Sequence, residues 1–355
     1  MIKHIMFPFI LTNMDHRKIM ALGQSSRAIT LPKEWLRHNS LSQGDTVVVR
    51  VQQDGSLVVL PAAKADDKVK KIHLEIGVDE DNEAIVRKLI GTYLDGYTLV
   101  TLKSDKIFTA GQQKAIREII RRLYMMVIES ESNRIDLETL VDETKVSVSS
   151  CVERMHMMTY SMFRDTIQAI RDWDDSLVLS VVSLEEDVDQ MMYLVVRTLR
   201  SAVSNPVLSN QLDLTPLDCL DYQTLVHRIE RVADHVTNIA SSILALYRAE
   251  KIIPDKLKMV LSDAAEIAFN SYDHAVHCFL RMDVGPTNDV IDAQDLIMDL
   301  YSEITPLPVS GDVNDVSTLT HIVTIRENIM RISNLTADIA ELTIDRAYQT
   351  IQEEA

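Results

Sequence analysis

The sequence predicts a mainly α-helical protein: tandem three-helix bundles, preceded by a small β-rich domain and a small α/β middle unit. Three observations carry that prediction. After residue 146, apolar residues recur at three- and four-residue steps almost without a break. Residues 17–61 instead hold short β-branched runs punctuated by Gly and Pro. Between the two, strand-like and helix-like patterns alternate, as in a small α/β layer. Composition agrees, with nine Gly in 355 residues and only 5% aromatics.

Charge is unevenly placed. The chain carries −17 overall, yet residues 17–60 hold six Lys or Arg against three acids, a net +3. A basic head on an acidic body predicts that the head alone approaches a polyanion. Cys151, Cys219 and Cys278 lie far apart with no CxxC pair, which argues against a zinc ribbon or a disulfide scaffold and fits a reducing cytosol. No apolar run reaches the roughly 20 residues that span a bilayer, so the expectation is a cytoplasmic protein without membrane insertion. Residues 1–13 read as a tail: the apolar run Ile5–Leu11 is short, Pro8 interrupts it, and no small-residue cleavage site follows.

The head spans residues 14–61. Lys18–Leu22 and Ala28–Leu31 read as strands around a Gly23–Arg27 turn, and Pro32 opens a helix to His38, where its missing N–H costs nothing. Thr46–Val51 and Leu57–Leu60 read as a hairpin turning at Asp54-Gly55. A unit of about 45 residues has little core of its own, which predicts dimerisation.

The middle unit spans residues 62–145. Strands are expected at Lys70–Gly77, Thr98–Leu102, Met125–Ser130 and Arg134–Leu137, with helices at Asp79–Tyr93 and Ala110–Tyr124. No Gly-rich phosphate loop is present, so nucleotide binding is not expected. Arg117, Arg121 and Arg122 read as the wet face of a helix, with an anion site as the sharper alternative.

Residues 146–250 form the first bundle. Val148, Val152, Met155, Met158 and Met162 begin a stripe that continues to Trp173, its methionines read as adaptable core. Leu177–Arg200 follows and breaks at Ser204-Asn-Pro. Thr215 then caps, and Pro216 starts, a helix to about Tyr247. Residues 254–355 repeat the plan with Lys256–Met282, Asp289–Ile304 and, after a Pro306–Asp315 loop, Ser317–Gln352.

The chemistry sits on Arg228–Ala240. Leu225, Ile229, Val232, Val236, Ile239 and Ile243 line its apolar stripe, while Glu230, Asp234 and Asn238 stand four apart as a row of oxygen donors. The preceding helix carries Glu185 and Asp189 at the same spacing. If the two helices pack antiparallel, four carboxylates meet, resembling half of a ferritin-like carboxylate site. Unrelieved, such crowding raises carboxyl pKa values; a hard cation, or Arg228, Arg231, His227 and His235, could relieve it. Charge runs more often simply face water. His227 and His235 lie eight apart with no third His or Cys at ligand spacing, so a zinc enzyme is not expected.

This segment resembles the signature helix of the PhoU family of phosphate-uptake regulators, where a Glu-x-x-x-Asp-x-x-x-Asn pattern runs in a similar Arg/Ile framework. Ile229–Ala240 aligns with Ile329–Ala340 at an offset of 100, and the PhoU family is likewise a tandem of three-helix bundles. The resemblance, of archaeal type, covers roughly residues 146–352. It implies a divalent or iron-type metal ion on Glu185, Asp189, Glu230, Asp234 and Asn238. A weaker second set is Asp295, Asp299 and Asp338, because Met330, Asn334 and Asp338 stand where Glu, Asp and Asn are expected. The string Gly23-Gln-Ser-Ser-Arg-Ala-Ile-Thr-Leu-Pro-Lys-Glu-Trp-Leu, with Leu41-Ser-Gln-Gly-Asp-Thr-Val, resembles the SpoVT/AbrB–MazE swapped-hairpin domain. That family interleaves two chains into one barrel and implies DNA contacts from Arg17, Lys18 and Arg27, with Lys33 and Arg37 beside them.

Together the resemblances imply a regulator of phosphate homeostasis. Its head would bind DNA as a homodimer or larger assembly, and its bundles would sense a metal or a partner, namely a phosphate ABC transporter or its signalling apparatus. The alternative is an adaptor that inhibits the transporter without binding DNA, the head serving only dimerisation. A ferritin-like oxidoreductase needs Glu-x-x-His pairs, which neither signature helix supplies. An antitoxin typically carries a short disordered tail, whereas this chain adds a large body. No Ser/His/Asp or Cys/His arrangement appears, so the chain is not read as an enzyme.

Overall fold

The computed structural model describes residues 16–22, 26–51, 55–61, 69–304 and 315–353. The tail at 1–13, the centre of the Gly23–Arg27 turn, Asp54 of the tight turn and nearly all of the Pro306–Asp315 loop lie outside them. The chain divides into two compact units, Met1–Lys68 and Val69–Ala355.

In the first unit, β1 (Met20–Leu22) pairs antiparallel with β2 (Ser26–Ala28), and β3 (Val47–Val51) with β4 (Leu57–Pro61). Between the hairpins lies α1 (Lys33–His38), with Pro32 one step earlier than expected, as its N-cap rather than its first residue. No residue of α1 is buried. Ile19, Leu22, Val51 and Leu57 are each more than 60% exposed, so the described residues of this unit do not close an apolar core.

The second unit begins with the expected α/β layer. Strands β5 (Lys71–Glu75), β6 (Leu99–Lys103), β7 (Met125–Ser130) and β8 (Arg134–Thr139) form one sheet in the order β5-β6-β8-β7, parallel between β5 and β6 and otherwise antiparallel. Helix α2 (Asn82–Leu94) ends at Gly96, whose φ of +82° suits the left-handed stop. Helix α3 (Ala110–Arg122) starts with a capping box between Thr109 and Gln112. Ile85, Leu89, Leu102, Ile116 and Leu137 fill the core of this layer at 0–1% exposure.

The rest is helical: α4 (Val148–Asp172), α5 (Asp175–Ser204), α6 (Pro206–Gln211), α7 (Pro216–Arg248), α8 (Asp255–Arg281), α9 (Thr287–Ile304) and α10 (Val316–Glu353). The break at Ser204-Asn-Pro holds the short α6, because the Asn205 side chain accepts from both Val207 and Leu208 amides and Pro206 starts the turn. Helices α4, α5 and α7 form one bundle, and α8, α9 and α10 a second. The bundles meet through α7 against α10 and α4 against α8, over one continuous core. The predicted methionines Met155 and Met162 are fully buried there. The fold is the mainly α tandem bundle with β-rich and α/β additions that the sequence predicts. No helix among the described residues is long and apolar enough to cross a membrane.

The α/β layer is fastened to α5. Arg197, 3% exposed, donates to the Tyr93 and Tyr97 carbonyls, lies 4.7 Å over the Tyr93 ring, and places Nε 2.6 Å from Glu143 Oε1. Such a buried, multiply bonded cation makes the two layers one body.

Candidate functional site

Helix α7 places the acids by burying its stripe. Leu225, Ile229, Val232, Val236 and Ile239 are at 0% exposure, which leaves Glu230 and Asp234 half-buried beside them. A capping box between Thr215 and Asp218, with 3.0 Å bonds both ways, fixes where the helix starts. On α5, Val181, Val188 and Val195 are buried in the same way, and Glu185 and Asp189 emerge half-buried toward α7.

The four carboxylates feel one another. Asp189 is pushed up to about 7, first by burial and then by Glu185 and Asp234, against the pull of Arg122. Glu230 is likewise pushed up to about 7 by burial, Asp234 and Asp189. Burial also raises Glu185, with Asp234 adding to it, and raises Asp234 against the pull of His235 and Arg231. Tyr193, one turn from Asp189 on α5, is pushed up to about 12 by burial and then by Asp189 and Glu230, so its phenol stays protonated beside the cluster. Asn238, the last of the predicted oxygen row, is exposed.

Arg122 of α3 is the cation that meets this cluster. Its guanidinium lies 2.6 Å from Glu186 Oε1 and 3.5 Å from Asp189 Oδ2, and Gln190 donates to the neighbouring Arg121 carbonyl at 2.9 Å. Of the basic residues offered as relief, His235 also bonds across the repeat: its Nδ1 is 2.7 Å from Asn328 Oδ1 on α10.

The second bundle is built differently at the matching positions. Gln294 donates to Asn334 Oδ1 at 2.6 Å, so an amide pair stands where Asp234 faces carboxylates in the first bundle. Asp338 is held by Arg228 at 3.0 Å, while Asp295 and Asp299 are exposed on α9.

Among the described residues, one group of three His, Cys, Asp or Glu brings its ligand atoms within 4.8 Å of one another: His156, Asp273 and His277. Its parts come from α4 and α8. The sequence offers Asp273 and His277 as an i, i+4 pair, but His156 lies 117 residues away and no spacing rule links them. The histidines singled out from the sequence, His227 and His235, are not these.

In the head, Arg17, Lys18, Arg27, Lys33 and Arg37 are all exposed. Lys33 and Arg37 share one face of α1 by their four-residue spacing. Arg27 donates to the Ser26 carbonyl at 3.2 Å.

Residues 152–243, from α4 through α7, match the family model of the PhoU domain. This stretch is similar to the PhoU domain. The matched stretch takes in all of α5 and most of α7, including Glu230 and Asp234. Residues 21–67, ahead of it, match the model of antidote-toxin recognition MazE, a bacterial antitoxin. No curated protein matches the chain. Among solved structures, PhoU from Pseudomonas aeruginosa is 17% identical with a TM-score of 0.46, covering 56% of this chain and 93% of that one. The phosphate transport system regulatory protein PhoU from Streptococcus pneumoniae is 12% identical with a TM-score of 0.48, covering 56% and 91%.

Proposed function

We propose that the chain is a regulator of phosphate uptake that acts as a homodimer, binds DNA through its MazE-like head and senses a metal ion or partner through its PhoU-type bundles. One observation carries the reading: the PhoU-like stretch is the part of the chain whose two acid-bearing helices direct like charges at one another. That arrangement supports a site that takes up positive charge when its ligand arrives.

The donor chemistry suits a divalent or iron-type cation, although in the ion-free chain no three of these carboxylates bring their oxygens within 4.8 Å of one another, so an ion would have to draw them in. Glu185, Asp189, Glu230 and Asp234 supply only oxygens, and they are half-buried, so binding releases their mutual repulsion. A bound cation would supply the charge that Arg122 offsets only in part. Arg122 holds Asp189 from the α/β layer, and Tyr193 offers a protonated hydroxyl at the rim. A change at the cluster is thereby felt in two layers of the same unit, as a regulatory element requires. Its protein partner in this reading is a phosphate transporter or its signalling apparatus, and its role is regulatory rather than enzymatic.

Exposed apolar side chains in the head support pairing of two copies, and its exposed Arg and Lys support contact with phosphate oxygens. The same apolar exposure equally favours a head that only dimerises. Gel-shift binding of the full chain to its own upstream DNA over a salt series decides between them. The DNA reading expects affinity to fall steeply with salt, with Arg27→Ala and Lys33→Ala each lowering the slope by about one. Absence of any shift at low salt leaves the transporter adaptor as the function.

A further inference from the structure

We propose that His156, Asp273 and His277 form a separate site for a borderline transition-metal dication such as Zn2+, which pins the first helix of one bundle to the first helix of the next. The proposal does not rest on the carboxylate cluster or on the regulatory reading, and its donor chemistry is different.

The geometry is that of a nearly closed ligand set. His156 Nε2 lies 3.0 Å from Asp273 Oδ1, and the same oxygen is 3.4 Å from His277 Nδ1. Metal bonds of about 2.0–2.2 Å place neighbouring ligand atoms about 3–3.5 Å apart, so a small shift closes these side chains on one ion. The two imidazoles meet edge to face with centroids 5.2 Å apart. Asp273 and His277 share a face of α8 by their i, i+4 spacing, and α4 packs against α8 to bring His156 opposite.

His277 Nδ1 is also 2.9 Å from the Asp273 backbone carbonyl. A carbonyl only accepts, so in the ion-free chain Nδ1 carries the hydrogen, and ligation through that nitrogen exchanges the hydrogen for the ion. His156 is 5% exposed, enclosed where α4 packs against α8. Its Nδ1 is buried without a partner. An imidazole enclosed on one polar contact is an expensive way to fill a core, since an apolar residue would leave no atom unsatisfied.

The bland account is a structural His–Asp pair. That account needs His156 and Asp273 but gives His277 no task, although its ring completes the group from the solvent side. His277 and Asp273 are 43% and 26% exposed at their side chains. The site is therefore open on one flank, which gives an ion a way in and leaves water a coordination position. Two imidazoles and one carboxylate select borderline ions, whereas the all-oxygen cluster between α5 and α7 favours harder ones.

The test uses the full chain, stripped with chelator and titrated calorimetrically with Zn2+. Three chains are compared: wild type, His277→Ala, and the quadruple variant Glu185→Gln, Asp189→Asn, Glu230→Gln and Asp234→Asn. The quadruple variant is expected to keep a zinc equivalent, and His277→Ala to lose that equivalent or weaken it by more than about tenfold. Zinc should raise the melting temperature of the quadruple variant, since the site exists only in the folded chain. Co2+ bound to the same chain should show visible bands that His277→Ala abolishes. Equal zinc stoichiometry and affinity in wild type and His277→Ala overturn the proposal; so does a folded quadruple variant that binds no zinc. If the quadruple variant does not fold, the wild type and His277→Ala comparison decides alone, because His277 lies at the surface and its truncation spares the core. A failure of the carboxylate cluster to bind metal would leave the histidine-dependent equivalent in place, so the two sites are read apart.

Discussion

Arg228 of α7 holds Asp338 of α10 at 3.0 Å, tying the two signature helices of the repeat to each other. With His235 bonded to Asn328, later residues of each helix meet earlier residues of the other, so the duplicated segments cross antiparallel with approximate two-fold symmetry. The symmetry is broken in chemistry. Asp338 replaces the exposed Asn238 and finds Arg228, and Asn334 replaces Asp234 and finds Gln294. The second bundle has exchanged repulsion for neutral and paired contacts.

The Arg228–Asp338 bridge is 39% and 43% exposed at its two side chains, so solvent screens it. Arg228→Ala should cost under about 1 kcal/mol in chemical unfolding at moderate salt. A loss above about 2 kcal/mol would mean that the bridge organises the helix crossing rather than decorating it.

The first bundle should show the opposite behaviour with pH. Asp189 and Glu230 titrate near 7 in the folded chain, against about 4 when unfolded. The folded state therefore binds more protons over that interval, and the stability this gives at acid pH is lost as pH rises from about 4 to about 7. In chelator, Asp189→Asn or Glu230→Gln should stabilise the chain at pH 8 by about 1 kcal/mol each, a discounted figure because the cluster is half open to water. Thermal unfolding at pH 8 and pH 5 checks it: the gain should shrink at the lower pH.

Arg122 should matter only because of the acids. Arg122→Ala removes the cation beside Glu186 and Asp189, so it should destabilise at pH 8 more than at pH 5. Adding Asp189→Asn should recover much of the loss, with a coupling energy of about 1 kcal/mol in a double-mutant cycle. Additive effects would show that the guanidinium serves the α/β layer instead.

For the head, Leu22→Asp and Leu57→Asp place charge on side chains 67% and 61% exposed in a single copy. If those side chains are covered by a second copy, light scattering of the full chain should show a shift from dimer toward monomer. Unchanged mass would remove the reason for pairing.

Much of this architecture is legible in local pattern. The stripe from Leu225 to Ile243 and the cap at Thr215 are short-range signals, and the helix lies where these signals place it. The spacing that puts Glu230 and Asp234 on one side of α7 is equally local. What is hidden depends on packing between distant segments. Arg122 reads as a wet helix face, yet the α/β layer lies against α5 and brings its guanidinium to Asp189, 67 residues on. His156 reads as one more polar residue on a Met-rich helix until α8 packs against it. The two turns of α6 fall below the length at which periodicity speaks.

The central claim is that Glu185, Asp189, Glu230 and Asp234 act as one cation-binding cluster. Calorimetric titration of the chelator-stripped chain with Mn2+ at pH 7.5, in buffers of different ionisation enthalpy, tests it most directly. Wild type and His277→Ala should bind with proton release, and Glu230→Gln/Asp234→Asn should lose both the binding and the protons. Identical isotherms for wild type and that double variant would contradict the account.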